Sequence, residues 1–429
     1  MRFYSLNHQA PPSSFENAVV KGLAPDRGLY FPETITPMDS KFFDTIDTRD
    51  NLDIAYECLQ QFTGDEIPVR ELKNILADVL SFEFPVVPLS QNISTLELFH
   101  GPTMAFKDVG ARFMARCLGY FSRNDNEQVT VLVATSGDTG GAVAKGFLGI
   151  EGVQVVILYP DGKVSDIQER QLTTLGQNIK ALKIDGTFDD CQAMAKKAFL
   201  DTDITNHKKL TSANSINVAR WLPQLLYFVF AYKQVKKLNR EVIFSVPSGN
   251  FGNICAGIVA SKLGLPVKHF IASVNSNDTV VRYMKSEKYE PKPSVTTISN
   301  AMDVGDPSNF IRIQQLFENN FEELKNQFSA YSYGDKKTRE ALSEMYEKYN
   351  YIADPHGAVG YLGLKEYGLK PHQLGVFLET AHPIKFKEIV ESTLNTKIKI
   401  PTQIQSVLGK EKRFSTIQNY NQLRDILIQ

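Results

Sequence analysis

With 429 residues, the chain is too long for one compact core, and two or three domains of roughly 100–200 residues each are expected. Hydrophobic residues make up 42% and charged residues 22%, as in an ordinary globular protein, which argues against extensive disorder. The net charge is -1 and no long run of Lys or Arg occurs, so a nucleic-acid partner is not expected.

Targeting, membrane and redox signals are also lacking in the sequence. The N-terminal residues have no apolar signal-peptide core, and no apolar stretch approaches the roughly 20 residues of a membrane span. The cysteines are scattered and form no C-x-x-C pair, so buried thiols in a reducing compartment are expected and no metal site is predicted. We therefore expect a cytoplasmic protein without a membrane partner. The four cysteines are Cys58, Cys117, Cys191 and Cys255.

Along the chain, residues 1–95 are polar, rich in helix formers and interrupted by prolines. The cluster from Phe84 to Pro88 predicts a linker or a domain entry. Beyond it, short β-branched runs alternate with helical patterns such as Phe188–Phe199, which predicts an α/β fold with parallel sheets. Residues 280–350 are predicted to be helices packed outside a sheet, and the tail from Ile398 is too weakly patterned to assign. The predicted strands are Val129–Ala134, Val153–Leu158, Ile179–Ile184, Glu241–Val246, Val267–Val274 and Gly375–Leu378.

Three strand-to-helix junctions have similar sequences: Thr135–Gly141 (TSGDTGG), Pro247–Asn253 (PSGNFGN) and Glu379–Pro383 (ETAHP). Ligands of parallel α/β sheets bind beyond the carboxyl ends of the strands, where helix N-termini offer unpaired N–H groups to anions. The two glycine-rich junctions predict two anions at one site, although each loop alone also fits ordinary tight packing. P-loop, dinucleotide, nucleophile-elbow and H-E-x-x-H sequences do not occur, so a ligand other than a nucleotide or metal is expected.

A lysine, Lys107, lies among apolar residues in Leu98–Asp108 (LFHGPTMAFKD), near a predicted helix start. Apolar surroundings and the positive end of the helix disfavour the ammonium form and favour a neutral, nucleophilic amine. On position alone, a lysine reaching solvent beside Asp108 is the alternative. Together with two anion sites, the lysine predicts pyridoxal phosphate, which needs an amine for its aldehyde and a cradle for its phosphate.

Five segments, in this order, resemble the motif series of threonine synthases: LFHGPTMAFKD, ATSGDTGGA, TSANSINVAR, VPSGNFGN and ETAHPIKF. Ser14–Glu33 is also similar to the N-terminal segment of that family, which belongs to the tryptophan-synthase-β (fold type II) group of pyridoxal-phosphate enzymes. The resemblance implies an α/β fold of two parallel-sheet domains with the cofactor between them. It implies a helical N-terminal segment (1–95), a smaller domain with the lysine and substrate loop (96–235), and a larger domain with the cofactor-phosphate loop (236–429). A chain of this fold can cross between its domains.

The resemblance also implies roles for individual residues. Lys107 is expected to form the Schiff base and carry protons, and Thr380 to give its hydroxyl to the pyridine nitrogen. The cofactor phosphate is expected on the main-chain N–H groups of Gly249, Asn250, Phe251, Gly252 and Asn253. The substrate α-carboxylate is expected at Thr135, Ser136, Gly137 and Thr139, and the substrate phosphate at Asn214, Ser215, Asn217 and Arg220.

Four side chains in these segments have more than one interpretation. A guanidinium fork matches phosphate oxygens, but Arg220 alone also fits an exposed helix position. Asp138 stands where much of the fold group has an asparagine facing the ring hydroxyl of the cofactor. An ionised carboxylate only accepts, so Asp138 either accepts the ring O–H or carries a proton itself. His100 and His382 lie inside matching motifs and either line the site or have a structural role, and neither is assigned a proton transfer.

The implied reaction converts O-phospho-L-homoserine and water into L-threonine and phosphate, in an enzyme expected to be a monomer or homodimer. Serine/threonine dehydration and β-replacement to cysteine on the same fold are alternatives. The Asn214–Arg220 segment distinguishes them, because the substrates of those reactions lack a phosphate or carry a smaller leaving group. A catalytically silent relative that binds a phosphorylated metabolite or a partner protein is disfavoured by Lys107 and both anion loops.

Overall fold

The short β-branched runs of the sequence form strands in a computed structural model that describes residues 1–124 and 127–428. Most of the strands predicted from the sequence are confirmed within one or two residues at each end. The strands are β1 (Phe3–Ser5), β2 (Tyr30–Pro32), β3 (Val86–Pro88), β4 (Ile93–Glu97), β5 (Val129–Ala134), β6 (Val153–Pro160), β7 (Ile179–Ile184), β8 (Lys209–Ser212), β9 (Glu241–Pro247), β10 (Val267–Val274), β11 (Phe328–Ser332), β12 (Gln373–Glu379) and β13 (Ser415–Ile417).

Helices connect most of these strands and cover the sheets. The helices are α1 (Phe15–Lys21), α2 (Ser40–Asp44), α3 (Asn51–Thr63), α4 (Val69–Val79), α5 (Lys107–Phe121), α6 (Asp138–Phe147), α7 (Asp166–Thr173), α8 (Phe188–Leu200), α9 (Thr202–Thr205), α10 (Val218–Trp221), α11 (Leu225–Val235), α12 (Gly252–Lys262), α13 (Thr279–Ser286), α14 (Phe310–Leu316), α15 (Phe321–Gln327), α16 (Asp335–Tyr349), α17 (Pro355–Tyr367), α18 (Lys387–Leu394), α19 (Thr402–Leu408) and α20 (Tyr420–Ile428). Short 3₁₀ turns join several of them, including Pro383–Phe386 after β12.

The larger sheet has six strands in the order β11-β10-β9-β12-β4-β3. All neighbours in it are parallel except β3 and β4, which are antiparallel. The central strands β9 and β12 are buried along nearly their whole length, which explains their continuous apolar sequences. Their carboxyl ends lead into the PSGNFGN and ETAHP junctions, which therefore lie at the same edge of the sheet.

The smaller sheet has five parallel strands in the order β13-β7-β6-β5-β8. Strand β5 is buried at every residue and leads into the TSGDTGG junction and α6. The α/β fold with two parallel sheets that was predicted from the sequence is therefore confirmed.

The two sheets divide the chain differently from the expected segments in two places. The cluster Phe84–Pro88, expected to be a linker or a domain entry, contributes β3 to the edge of the larger sheet, where a proline needs no ladder N–H. Near the other end of the chain, β13 joins the smaller sheet, although residues 236–429 were expected in the other domain. This return is driven by burial of Ile417, Leu423 and Leu427 against the apolar face of that sheet.

The stretch 280–350, expected to be helical, also contributes a strand. β11 pairs in parallel with β10 at the edge of the larger sheet, from Phe328 beside Phe270 to Ser332 beside Val274. Its side chains alternate between buried and partly exposed, which is the pattern of an edge strand with one covered face.

Residues near the N-terminus accept hydrogen bonds from β8, from the residue that caps α10 and from α14. The carbonyl of Val19 accepts hydrogen bonds from the Thr211 hydroxyl at 3.1 Å and the Asn217 amide at 2.8 Å. The carbonyl of Tyr30 accepts one from the Arg312 guanidinium at 2.9 Å. The N-terminal segment therefore braces the region between the two sheets. Within the described ranges, no helix combines the length and apolar character needed to cross a membrane.

Candidate active site

The segment that carries Lys107 is hydrogen-bonded to the segment that carries Thr380. The N–H of Phe106 donates to the carbonyl of Thr380 at 2.8 Å, and the N–H of His382 donates to the carbonyl of Met104 at 3.1 Å. Lys107 then begins α5. These main-chain bonds hold the lysine beside the carboxyl end of β12, where ligands of parallel sheets bind.

The amine of Lys107 has a pKa well below that of an ordinary lysine. Burial lowers its pKa to about 8, with Asp138 opposing the change and the charges of Arg220 and Lys385 adding to it. A substantial fraction of the amine is therefore neutral near pH 8.

The neighbouring carboxylate of Asp108 turns away from this lysine. It accepts the N–H of Thr103 at 2.9 Å and the hydroxyl of Thr103 at 2.6 Å. The carboxylate of Asp108 is therefore paired with Thr103.

The turn after β9 forms a cradle of main-chain donors. Phe251 has a left-handed backbone conformation, with φ 61°, and α12 begins at the next residue. In the described part of the chain, the N–H groups of Gly249, Asn250, Phe251, Gly252 and Asn253 donate to no protein acceptor. Unpaired N–H groups at the start of a buried helix are the donors that a phosphate requires.

Neighbouring residues fix the shape of this turn. The amide of Asn253 donates to the carbonyl of Pro247 at 2.9 Å, across the turn. The amide of Asn309 donates to the carbonyl of Asn250 at 2.9 Å. A Cβ on Gly249 would lie 2.7 Å from the Cα of Met302, so this position has room for glycine alone.

The glycine-rich turn after β5 is organised by Thr135. Its buried hydroxyl accepts the N–H of Gly137 at 2.9 Å and that of Gly140 at 2.8 Å. The N–H groups of Ser136 and Thr139, in contrast, have no acceptor among the described residues. Of the four residues predicted here, Thr135 and Gly137 shape the turn, while Ser136 and Thr139 offer free donors to an anion.

The segment 214–220 lies between the two sheets. The Asn214 amide donates to the carbonyl of Ala134 at 3.0 Å, at the end of β5. The hydroxyl of Ser215 accepts the amide of Asn250 at 2.6 Å, in the turn after β9. Asn217 is fully engaged, because its oxygen caps α10 and its nitrogen donates to Val19. The segment therefore contacts the end of β5 and the glycine-rich turn after β9.

Arg220 is buried, with 2% of its surface exposed, and does not occupy an exposed helix position. Its guanidinium donates to the carbonyl of Ala213, while its Nε has no protein partner among the described residues. Burial lowers the pKa of Arg220 to about 10, so the group stays charged at neutral pH. Gly110 lets α5 approach closely, since a Cβ there would lie 2.2 Å from the carbonyl oxygen of Arg220.

Asp138 is held by two side chains. Its Oδ1 accepts Lys385 Nζ at 2.7 Å and Gln168 Nε2 at 2.9 Å. Burial alone would raise the pKa of this carboxyl, but the charges of Lys385 and Lys107 outweigh burial and lower the pKa to about 2. Of the two states left open by the sequence, the ionised one is therefore favoured, and Asp138 acts as an acceptor.

The two histidines of the matching segments have local partners. His100 pairs with Glu97 at 2.8 Å. Nδ1 of His382 accepts the N–H of Ile384 at 3.1 Å, and burial lowers the pKa of His382 to about 4, so this ring is neutral. Neither contact assigns a proton transfer.

Four polar residues of the site were not predicted from the sequence, namely Gln168, Lys385, Asn309 and Arg312. Lys385 lies within the ETAHPIKF segment, so its motif was visible, although its partner Asp138 was not. Asn309 and Arg312 lie in a charge-rich stretch without a motif. Arg312 is fully buried and donates to the carbonyl of Ile216 at 2.7 Å, and so supports the 214–220 segment from behind.

Comparison with known families identifies the class of protein. The model for pyridoxal-phosphate dependent enzymes matches residues 91–375, which include both glycine-rich turns and Lys107. The chain is therefore a pyridoxal-phosphate-dependent enzyme of fold type II, as expected from the sequence. Models described as the threonine synthase N terminus and the threonine synthase C-terminal region match residues 2–79 and 357–427.

Individual relatives agree with these family matches. Threonine synthase of Haemophilus influenzae is 44% identical over 402 residues, covering 94% of this chain and 93% of the relative. The crystal structure of threonine synthase from Escherichia coli matches with a TM-score of 0.94 at 40% identity, covering 100% of this chain and 99% of that one. A pyridoxal-phosphate-bound threonine synthase from Brucella melitensis matches with a TM-score of 0.93 at 32% identity, covering 100% and 99%. The chain belongs to the threonine synthase family.

Proposed function

We propose that the protein converts O-phospho-L-homoserine and water into L-threonine and phosphate, with Lys107 as its catalytic lysine. The observation that carries the choice of substrate is the buried guanidinium of Arg220, which has no carboxylate partner among the described residues. Asp108 acts on this charge without forming an ion pair, and burial of the charge is costly, so a phosphate bound beside Arg220 would offset that cost. Dehydration of serine or threonine would not require this charge.

The residues present fit pyridoxal phosphate. The unpaired N–H groups of residues 249–253 suit its phosphate, Lys107 suits its aldehyde, and Asp138 suits its ring hydroxyl as an acceptor. Thr380, at the end of β12, is assigned to the pyridine nitrogen. When bound, the cofactor supplies an electron sink for negative charge that develops on the carbon next to the substrate's amino group.

Uptake of pyridoxal phosphate by the cofactor-free protein is expected to accelerate with rising pH and to be half-maximal near pH 8. The reason is that burial lowers the pKa of Lys107 to about 8, and the neutral amine is the form that attacks an aldehyde. Below this pH the amine is protonated, so the rate falls. Stopped-flow absorbance measures the profile, and a midpoint at about pH 10, as for an ordinary lysine, would contradict the buried amine.

Replacing Gly249 with alanine is expected to lower the thermal midpoint by a few degrees and to weaken retention of the cofactor. The new Cβ would lie 2.7 Å from the Cα of Met302 and 3.0 Å from the carbonyl oxygen of Ala301, both main-chain atoms. Such overpacking costs about 1–3 kcal/mol and displaces the turn that holds the phosphate. Gly409→Ala is the matched control, since no atom lies within 4 Å of its added Cβ. Equal stability and cofactor content in the two variants would contradict this account of the turn.

The substrate is assigned to two anion sites on either side of Lys107. Its α-carboxylate is placed at the free N–H groups of Ser136 and Thr139, in the turn that Thr135 and Gly137 shape. Its phosphate is placed at Arg220, next to the side chains of Asn214 and Ser215, with Asn217 fixing the segment from behind. Two charged ends held in this way orient the carbon chain of the substrate toward the lysine.

Lys107 is assigned the proton transfers. Its Nζ, partly neutral near pH 8, takes the proton from the α-carbon of the substrate, and as an ammonium it can return a proton to the carbon chain. A proton leaves the β-carbon as the substrate phosphate, held by Arg220, departs from the γ-carbon, and the γ-carbon then takes up a proton. Water supplies the hydroxyl group of threonine at the β-carbon.

The proposal is tested by supplying the purified holoenzyme with O-phospho-L-homoserine and quantifying threonine and phosphate together. We expect equal amounts of the two products. Phosphate accompanied by 2-oxobutanoate would replace the proposal with an elimination reaction on the same fold. Neither product, from protein shown to carry the cofactor on Lys107, would reject the proposed substrate.

A further inference from the structure

Lys385 connects the two halves of the site through its ammonium group. It lies in the turn Pro383–Phe386 that follows β12 and Thr380, and its side chain is 0% exposed. Its Nζ lies 2.7 Å from Oδ1 of Asp138, at the start of α6. It also donates to the carbonyl of Thr103 at 2.8 Å. One lysine of the larger-sheet side thus binds the turn of the smaller sheet and the turn that leads to Lys107.

The contacts of Asp138 fix the direction of its carboxylate. Gln168 donates to the same oxygen, Oδ1, at 2.9 Å. Gln168 is itself locked against the turn, since a Cβ on Gly137 would lie 2.5 Å from its Cδ. Because Oδ1 has two donors, Oδ2 is the oxygen left for a ligand. A carboxylate held in this way is an oriented acceptor.

The Thr103 contact extends this arrangement to the catalytic lysine. Thr103 donates through its N–H and its hydroxyl to Asp108, the residue after Lys107. Its carbonyl accepts both Lys385 and, at 3.1 Å, the amide of Gln171. The distance between Asp138 and the start of α5 is therefore set by a chain of buried hydrogen bonds through Lys385.

We propose that Lys385 is a positioning residue, which holds Asp138 as an oriented acceptor for the ring hydroxyl of the cofactor and fixes it relative to Lys107. This inference rests on the proposed function, in which Asp138 faces the ring. A buried ion pair gains little stability over an apolar pair of the same shape, so stability alone does not account for its presence. Its geometry, with one ammonium reaching both sides of the site, matches a positioning role.

A double-mutant cycle in the cofactor-free protein tests the pairing. Lys385→Met removes the ion-pair partner of the buried Asp138 carboxylate, leaves only the charge of Lys107 acting on it, and is expected to lower the thermal midpoint by about 5 °C. Adding Asp138→Asn removes the unpaired charge, so the double variant is expected to be more stable than Lys385→Met alone. Lys387→Met, at an exposed neighbouring lysine, is the control, and its thermal midpoint should equal that of the wild type. Additive effects of the two substitutions would overturn the pairing.

The pH profile of cofactor uptake provides a readout that a purely structural role would not move. The charged groups acting on Lys107 are Asp138, which raises the pKa of its amine, and Arg220 and Lys385, which lower it. Lys385→Met is therefore expected to move the uptake midpoint upward, and Asp138→Asn to move it downward. The same midpoint in both variants would overturn the inference.

Both measurements use the cofactor-free protein and pyridoxal phosphate, without substrate. If the wild-type enzyme makes no threonine while the cycle shows coupling and the midpoints move apart, the proposed substrate fails and the role of Lys385 stands. If threonine is formed but the cycle is additive, the inference about Lys385 fails alone.

Discussion

The Lys107→Ala variant is expected to lose threonine formation by about 10³-fold or more. Proton transfer by a positioned side chain contributes about 10²–10⁴-fold, and this variant also loses covalent attachment of the cofactor. The turn around the lysine is held by main-chain bonds, such as Phe106 to Thr380 at 2.8 Å, so truncation should leave the backbone in place. The loss should therefore appear in kcat, with the fold retained.

Two measurements distinguish the loss of this amine from a general disturbance of the fold. Borohydride reduction of the wild-type holoenzyme, followed by peptide mass spectrometry, should locate the cofactor on Lys107. Lys145→Ala removes an exposed lysine from α6 and should retain wild-type activity and labelling. Turnover of Lys107→Ala within tenfold of wild type, or label on another lysine, would contradict the assignment.

The Arg220→Ala variant is expected to lose about 10²–10³-fold in kcat/KM for O-phospho-L-homoserine. A hydrogen bond to a charged group contributes about 1.5–3 kcal/mol, and a guanidinium can make two with a phosphate. Arg220→Lys keeps the charge without the planar fork, so an intermediate loss is expected. Arg70→Ala, at an exposed position near the start of α4, is the matched control and should be unaffected.

Inorganic phosphate provides a second readout for Arg220 that does not depend on turnover. As a product analogue, it should compete with the substrate in the wild-type enzyme and lose most of this inhibition in Arg220→Ala. Cofactor content measured by absorbance should be the same in both proteins, because the cofactor phosphate is assigned to residues 249–253. Unchanged kinetics and unchanged inhibition would favour a same-fold reaction on a substrate without phosphate.

Several strands were predictable because their signal is local. The run Val129–Ala134 is rich in β-branched residues and fully buried, while Val267–Val274 has an apolar second half, and both are strands with those limits. β11 was missed because its five residues lie inside a helix-rich stretch, and its pairing partner β10 is distant in sequence. β13 has three residues, too few for any period to be read.

The same difference between local and long-range signals explains which site residues were predicted. The glycine-rich turns and Lys107 were found because each lies in a compact local pattern with a chemical reason behind it. The contact between Lys385 and Thr103 joins residues that are 282 positions apart, and nothing local indicates it. Likewise, the sequence did not reveal that the hydroxyl of Thr135 accepts two N–H groups of its own turn. The N–H groups of Ser136 and Thr139 are then the free donors.

The most direct test of the central claim is the reaction in water labelled with ¹⁸O, followed by mass spectrometry of both products. If phosphate departs by cleavage of its bond to carbon and water adds at the β-carbon, the label appears in the threonine hydroxyl and the phosphate stays unlabelled. Label in the phosphate, with homoserine as the other product, would mean that water attacks phosphorus, and would contradict the proposed reaction.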